Sequence, residues 1–343
     1  MNAAETQPLP PGAGEPPPPP GSQARTSTDE ARSSTLGVWL GSPVALIPLL
    51  ILGAVVAVLL IASGLKDFGL TFWGFQYRFV PGEPDASSWG IGVFLVGTFL
   101  TASLSLVLAT ALSLALAISS VVYLPPLPGR LLSMVTNLLA GIPSVVYGIW
   151  GFVVLAPYFG LTLEPSLRDV LGWLPGFGGP SSDIGPWGTL LAVFVLTIMI
   201  IPLTTALMRE ALRSVPRDLV EAGLAVGATR WEVVRRVRLP VARNGLWSAV
   251  LLGFGRALGE SVAVAMVIGG TSIALPPNLY ASTTTVASFI FSQLDSALIY
   301  PNLFVLLVEF SLVLLVVAVV VNLVAQRFTR VELATATTLG GGE

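Results

Sequence analysis

The sequence predicts an all-α integral membrane protein with six transmembrane helices, and three observations carry the prediction. Of its 343 residues 54% are hydrophobic and only 10% charged, and the mean hydropathy is +0.83; so small a polar fraction cannot cover a soluble globule. The apolar residues gather into runs long enough to cross about 30 Å of hydrocarbon. The arginines gather elsewhere, chiefly in one loop.

Taken in order, residues 1–36 are rich in Pro, Gly, Ser and Thr, with prolines throughout 16–20. Such a composition cannot bury a core and reads as a disordered, partly polyproline tail. It lacks the flank and early apolar run of a cleavable signal peptide. Residues 37–330 form the predicted membrane domain and 331–343 a flexible tail. Within the domain the expected spans are 43–63, 91–121, 131–159, 187–207, 245–269 and 303–324. Between the first two lie Phe72, Trp73, Phe75, Tyr77 and Trp89, suited to an interfacial aromatic belt. The loop at 160–186 carries a short amphipathic piece near 167–174, and Ser282, Thr283, Thr284, Thr285 and Ser288 make a hydroxyl-rich loop before the last span.

Orientation follows from the cations. With the amino terminus in the cytoplasm, the inner side holds Arg25, Arg32, Arg130, Arg209, Arg213, Arg217, Arg230, Arg235, Arg236, Arg238, Arg243, Arg327 and Arg330, and the outer side only Lys66, Arg78 and Arg168. This bias predicts that both termini and the 212–245 loop are cytoplasmic.

Three features inside the spans are informative. Gly141-Ile142-Pro143-Ser144, followed by Tyr147 and Gly148, predicts a kink or break in the third span. The freed backbone and the Ser144 hydroxyl would then line a polar path, or the glycines simply serve helix packing. Thr98, Thr101 and Ser105 share a face of the second span and suit close helix packing. In the fifth span Arg256 and Glu260 are four residues apart, placed to pair on one helical face. A charge in mid-span costs about 2.5–3.5 kcal/mol on insertion scales, so the pair is a candidate for function as well as for structure. Glu309 in the sixth span is a further buried acid.

The basic loop at 212–245 reads as helix, turn, helix. Pro216 suits a helix start, with Asp218 and Glu221 near the positive end of its dipole. Gly227 suits its end. Thr229 and Glu232 have the spacing of a capping box for a second short helix, on which Trp231, Val234 and Val237 share a face and which Pro240 should stop. A plain surface loop, a DNA-reading helix-turn-helix and a docking element for a cytoplasmic partner all fit these signals. Membrane-length segments close on both sides disfavour DNA.

The composition also bounds the chemistry. The chain has no histidine and no cysteine, which removes the commonest general base, the commonest metal ligand and all thiolate chemistry. Its only lysine, Lys66, lies outside any P-loop pattern, so ATP-driven work must come from another polypeptide. No catalytic residue, metal or cofactor is expected.

Glu221-Ala222-Gly223, Gly227, Val237 and Leu239-Pro240 resemble the EAA loop of ABC-importer permeases, with Gly223 for the second alanine and Val237 for isoleucine. Gly141-Ile142-Pro143-Ser144-Val145-Val146-Tyr147-Gly148 and Arg256-Ala257-Leu258-Gly259-Glu260 are similar to the signatures of the phosphate-importer permeases, and the continuation from Ser261 to Gly269 resembles their C-type subunit. The resemblance covers about residues 40–330. It implies a type I importer permease of a bacterial plasma membrane, working with a related A-type permease, two cytoplasmic ATPase subunits and an external phosphate-binding protein. Gly141, Pro143, Ser144, Arg256 and Glu260 would then lie on the substrate path, while Glu221, Ala222, Gly223, Gly227, Leu239 and Pro240 would form the ATPase-coupling element. Import of another oxyanion such as sulfate or molybdate, and a phosphate-sensing scaffold that moves nothing, are the competing expectations.

Overall fold

The structure, a computed structural model, describes residues 43–63, 72–78, 88–179, 185–270 and 275–339. The proline-rich tail at 1–36 lies outside the described residues. Helix α1 (Pro43–Ser63) contains 21 residues and no charge, a length of about 30 Å at 1.5 Å per residue. It coincides with the first expected span.

After it come two short strands, β1 (Tyr77–Arg78) and β2 (Ser88–Trp89), paired antiparallel with Tyr77 opposite Trp89. The aromatic residues here divide. Trp73 and Phe75 are exposed, as an interfacial belt requires, but Phe72 is only 1% exposed. Phe72 and Tyr77 instead join Phe94, Phe289 and Phe310 in an edge-on and tilted aromatic cluster. Sequence alone could not separate the two sets, because both alternate along one loop.

The membrane helices follow: α2 (Gly92–Tyr123), α3 (Pro126–Ala140), α4 (Ser144–Leu171) and α5 (Thr189–Arg213). Beyond α5 lie α6 (Arg217–Ala225), α7 (Arg230–Val233), α8 (Leu239–Gly259), α9 (Val262–Val267), α10 (Val286–Ile299) and α11 (Pro301–Leu339). Beyond α1, four helices among the described residues are long and apolar enough to cross a membrane: α2, α4, α5 and the Pro301–Val324 part of α11.

The expected third and fifth spans are each divided. Pro143 disfavours helix at Ile142 and lacks an N–H, so α3 stops at Ala140 and α4 starts at Ser144. α4 is itself a 28-residue span that continues through two π-helical turns, Gly151–Leu155 and Phe159–Leu163. The amphipathic piece expected near 167–174 is its last turn. α8 ends at Gly259, where Glu260 turns extended with ψ 121°. The last helix also differs from expectation: α11 runs on to Leu339, beyond the tail boundary at 330, because no glycine or proline interrupts it before Gly340.

α5 is the innermost of the four spans, with 67% of its apolar window buried against 28–33% for the others. It packs on α2, α3 and α8. Its seam with α2 is made of small polar residues whose hydroxyls find partners inside the protein. Ser105 Oγ donates to the Val193 carbonyl at 3.1 Å and Ser113 meets Thr204. Contacts that climb from 105 to 113 on one helix and from 193 to 204 on the other show that α2 and α5 run parallel. The seam with α8 is made of glycines. A Cβ on Gly253 would lie 2.7 Å from Thr204 Cγ2, and one on Gly245 2.6 Å from Ala211 Cβ. Only glycine admits this approach of α8, which runs antiparallel to α5.

The hydroxyl-rich loop turns inward rather than to solvent. Thr98 Oγ1 accepts the Val286 N–H at 2.9 Å, and Thr285 with Ser288 forms a capping box that starts α10. Glu309 is fully buried in α11.

Candidate functional site

The two motifs in the spans meet at the start of α4. Pro143 is the N-cap of α4 and Ser144 its first residue. Ile142 packs on the main core, whereas Gly141 and Pro143 face outward. Gly141 has φ −85°, so no left-handed turn demands glycine there. Gly148 is different: a Cβ on it would lie 2.8 Å from Met266 Sδ and 3.0 Å from Ala263 Cα. The short helix α9 crosses α4 at this point, and Gly148 is the notch that receives it.

Tyr147 lies beside that notch, 8% exposed, and donates its hydroxyl to the Leu139 carbonyl at 2.9 Å. It is also within electrostatic range of Arg256. The Tyr147–Leu139 bond thus ties the end of α3 to the start of α4.

Arg256 and Glu260 do not form the expected pair. α8 unwinds at Gly259, so the one-turn spacing that would stack them on a helical face is lost, and no ion pair joins them. Glu260 Oε1 instead accepts the Ala263 N–H at 3.3 Å, satisfying a donor in the first turn of α9. The physical reason lies in Gly259, a weak helix former, and in a carboxylate that stabilises the next helix start better than it prolongs the last. Arg256 is exposed in this chain, and a Cβ on Gly255 or Gly259 would have nothing within 4 Å. The cation therefore stands on an open surface flanked by two glycines.

The 212–245 loop folds as a compact module. α6 ends in a Schellman motif: Gly227, with φ +85°, donates to Leu224 O at 3.0 Å, and Ala228 N donates to Gly223 O at 3.2 Å. Thr229 and Glu232 form the expected capping box at α7. The Thr229 backbone N–H and hydroxyl together hold the Glu232 carboxyl below the usual carboxylate range. Gly223, which replaces the second alanine of the EAA pattern, faces α7: a Cβ there would press on Val233 Cγ2 at 3.2 Å.

Two expectations for this module are corrected. Pro240 does not stop the second helix. α7 passes through a π-helical turn, Val234–Arg238, into α8, and the widened turn carries the backbone past a residue that cannot donate. The buried face is Val233 and Val234, while Trp231 is 53% exposed. Leu239 packs into the core beneath the module and Pro240 is exposed.

Sequence reasoning missed several residues. α6 has no buried residue at all, and Leu219 and Leu224 on it, Val226 at its C-cap and Trp231 on α7 are exposed apolar side chains, Val226 at 85%. Arg238 Nη1 donates to the Leu212 carbonyl at 3.1 Å, a contact across 26 positions that no local spacing signals. Toward the other end of α4, Glu164 is buried and Arg168 lies 5.5 Å over the Tyr280 ring.

Comparison with known proteins agrees with this architecture. A bacterial ABC transporter involved in the import of the acidic polysaccharide alginate superposes with a TM-score of 0.56 over 89% of this chain and 98% of that one, at 16% identity, a likeness of fold. Phosphate transport system permease protein PstC 1 of Mycobacterium tuberculosis is 36% identical over 328 residues, covering 89% of this chain and 95% of the relative. Phosphate transport system permease protein PstC of Haemophilus influenzae is 38% identical over 259 residues, covering 74% of this chain and 80% of the relative. Residues 109–331, which include every motif described above, match the binding-protein-dependent transport system inner membrane component family, and the chain belongs to that family.

Proposed function

We propose that this chain is the C-type permease subunit of an ATP-driven phosphate importer. The observation that carries the reading is the extent of likeness to proteins named as phosphate transport permeases, 36% identity over 89% of the chain. Three features support it. Arg256, the only cation within an expected span, stands on an open, glycine-flanked surface where a related A-type permease would complete the passage. An anion with one to two charges needs such a fixed cation in a low-dielectric path. α6 has no fully buried residue and leaves Leu219 and Leu224 exposed, with Val226 and Trp231 exposed just beyond it, the form of a helix that seats in a groove of a partner. With that loop cytoplasmic, as the arginine bias indicates, the partner is an ATPase subunit, and an external binding protein delivers phosphate to the opposite side.

The cycle then follows from the connections. ATP binding pushes α6 and α7, the push passes along α8, and the surface around Arg256 alternates between the two sides of the membrane. The test is uptake of labelled phosphate into proteoliposomes holding this chain, the A-type permease and the ATPase subunits, with binding protein and ATP supplied. ATP-dependent phosphate uptake that excess sulfate or molybdate leaves unchanged is the expected result. Uptake of one of those anions in place of phosphate overturns the substrate, and the absence of any uptake by an assembled complex favours a sensing scaffold.

A further inference from the structure

The last four carbonyls of a helix have no partner within it, and their outward dipole favours a cation. At the end of α5 three of these carbonyls are satisfied in different ways. The Ser214 N–H donates to Glu210 O at 3.0 Å, the Ser214 hydroxyl donates to Ala211 O at 2.9 Å, and the third, Leu212 O, accepts from Arg238 at 3.1 Å. The first two partners belong to the residue that follows α5. Arg238 belongs to the π-helical turn through which α7 becomes α8.

Around this bond the packing is apolar: Leu212, Val215, Val234 and Ala242 are buried together, with Leu239 against them. Apolar attraction has no direction of its own and constrains rotation and register only through the fit of the side chains. The bond from Arg238 Nη1 to the Leu212 carbonyl adds a directional tie to that fit, because one N–H is aimed at one acceptor. Farther along the same two helices the Gly245–Ala211 and Gly253–Thr204 contacts continue the seam. Arg238 stands at the end of that seam nearest the coupling module.

The geometry points to Arg238 as a positioning residue that locks α8 to the end of α5, so that displacement of α6 and α7 moves both helices as one body. The inference rests on the coupling role proposed above. Without the lock, a push on α7 rotates or slides α8 over the apolar contacts and ATP is spent with the Arg256 end of α8 unmoved. Arg238 touches neither ATP nor phosphate in this scheme, and its effect lies in the ratio of the two events.

The experiment compares wild type, Arg238→Gln, Arg238→Met and Arg238→Lys in the complete reconstituted transporter, measuring phosphate uptake and ATP hydrolysis on the same vesicles. Phosphate uptake by the wild type establishes the functional reading separately from this inference. Expected for Gln and Met is ATP hydrolysis that still responds to binding protein, with about a tenfold fall in phosphate moved per ATP. Lys, which keeps a charged donor, restores most of the ratio. An unchanged ratio in Gln or Met overturns the inference, as does a Lys variant that assembles but couples no better than Gln. Should Gln and Met fail to assemble while Lys assembles with full coupling, Arg238 is a folding contact and the lock is rejected.

Discussion

The Tyr147 hydroxyl donates to the Leu139 carbonyl across the break between α3 and α4. Leu139 is in the last turn of α3, where its carbonyl also accepts the Ile142 N–H at 3.2 Å; Tyr147 is in the first turns of the next helix. One hydrogen bond thus spans the Gly141–Pro143 interruption and holds the two helices at a fixed angle beside Arg256. Tyr147→Phe keeps the ring and removes the bond, and should cost about 1 kcal/mol, the usual net worth of such a bond. The expected outcome is full assembly, a lowered midpoint in thermal unfolding of the detergent-solubilised protein, and phosphate uptake reduced several-fold. Wild-type uptake and melting together would show that the break needs no brace.

What was legible in the sequence depended on how local its cause was. The Thr229–Glu232 capping box, the Gly227 turn and the Gly141–Pro143 break were readable because each is set by residues within a few positions. The end of α8 was not, since apolar sequence resumes from Val262 to Val267 directly after Glu260 and Ser261, and hydropathy does not separate a straight helix from one that unwinds at Gly259. The passage through Pro240 was equally hidden, because the proline rule assumes α-helical register and the chain escapes it with a π-helical turn. Contacts such as Arg238 with Leu212 and Gly148 with Met266 join distant segments and leave no periodic trace.

Gly227 offers a test of the coupling module that separates backbone strain from steric clash. Its φ is +85°, yet a Cβ there would meet nothing within 4 Å. Asn enters the left-handed region more readily than β-branched residues do, so Gly227→Asn should retain most coupling and Gly227→Val should lose it. Glu221→Lys, exposed on α6, should leave membrane insertion intact while uncoupling ATP hydrolysis from uptake. Equal transport by all three variants would return the 212–245 loop to a passive connection.

The capping box predicts a pH response of known sign. Glu232 is held below the usual carboxylate range by the Thr229 N–H and hydroxyl. Its contribution to the start of α7 is therefore complete above the ordinary carboxylate value and is lost as pH falls through the depressed one. Hydrogen-exchange protection of the α7 amides, corrected for intrinsic rates, should hold through mild acidity and collapse only below it. Thr229→Ala should lower protection at neutral pH and move the collapse upward, and an identical profile in that variant would exclude the box as its cause.

Orientation can be tested directly because the chain contains no cysteine. Ser214 and Ser166 are both exposed, beyond the end of α5 and near the end of α4 respectively. Single cysteines at these sites should label oppositely with an impermeant thiol reagent on intact cells: Ser166→Cys reacts and Ser214→Cys reacts only after lysis. The reverse pattern would invert the proposed topology and remove the ATPase from the 212–245 loop.

The separation of Arg256 from Glu260 changes what their mutation should do. Had they been a buried ion pair, either single substitution would strand a charge and cost several kcal/mol. Arg256 is exposed and makes no ion pair with Glu260, so Arg256→Gln should assemble and melt like wild type. Uptake should nevertheless fall to background, because removing the fixed cation leaves phosphate without compensation in a low-dielectric passage. Glu260→Gln keeps an oxygen able to accept the Ala263 N–H, so α9 should still form. If Glu260 acts only as that acceptor, Glu260→Gln transports normally and Glu260→Leu does not. A role for its negative charge in releasing the anion would instead make Gln and Leu equally defective. The exchanged protein, Arg256→Glu with Glu260→Arg, should not recover uptake, since no pair exists to be restored and the cation moves from the end of α8 to the bend before α9. Normal phosphate uptake by Arg256→Gln, at wild-type protein levels, would remove this arginine from the transport path.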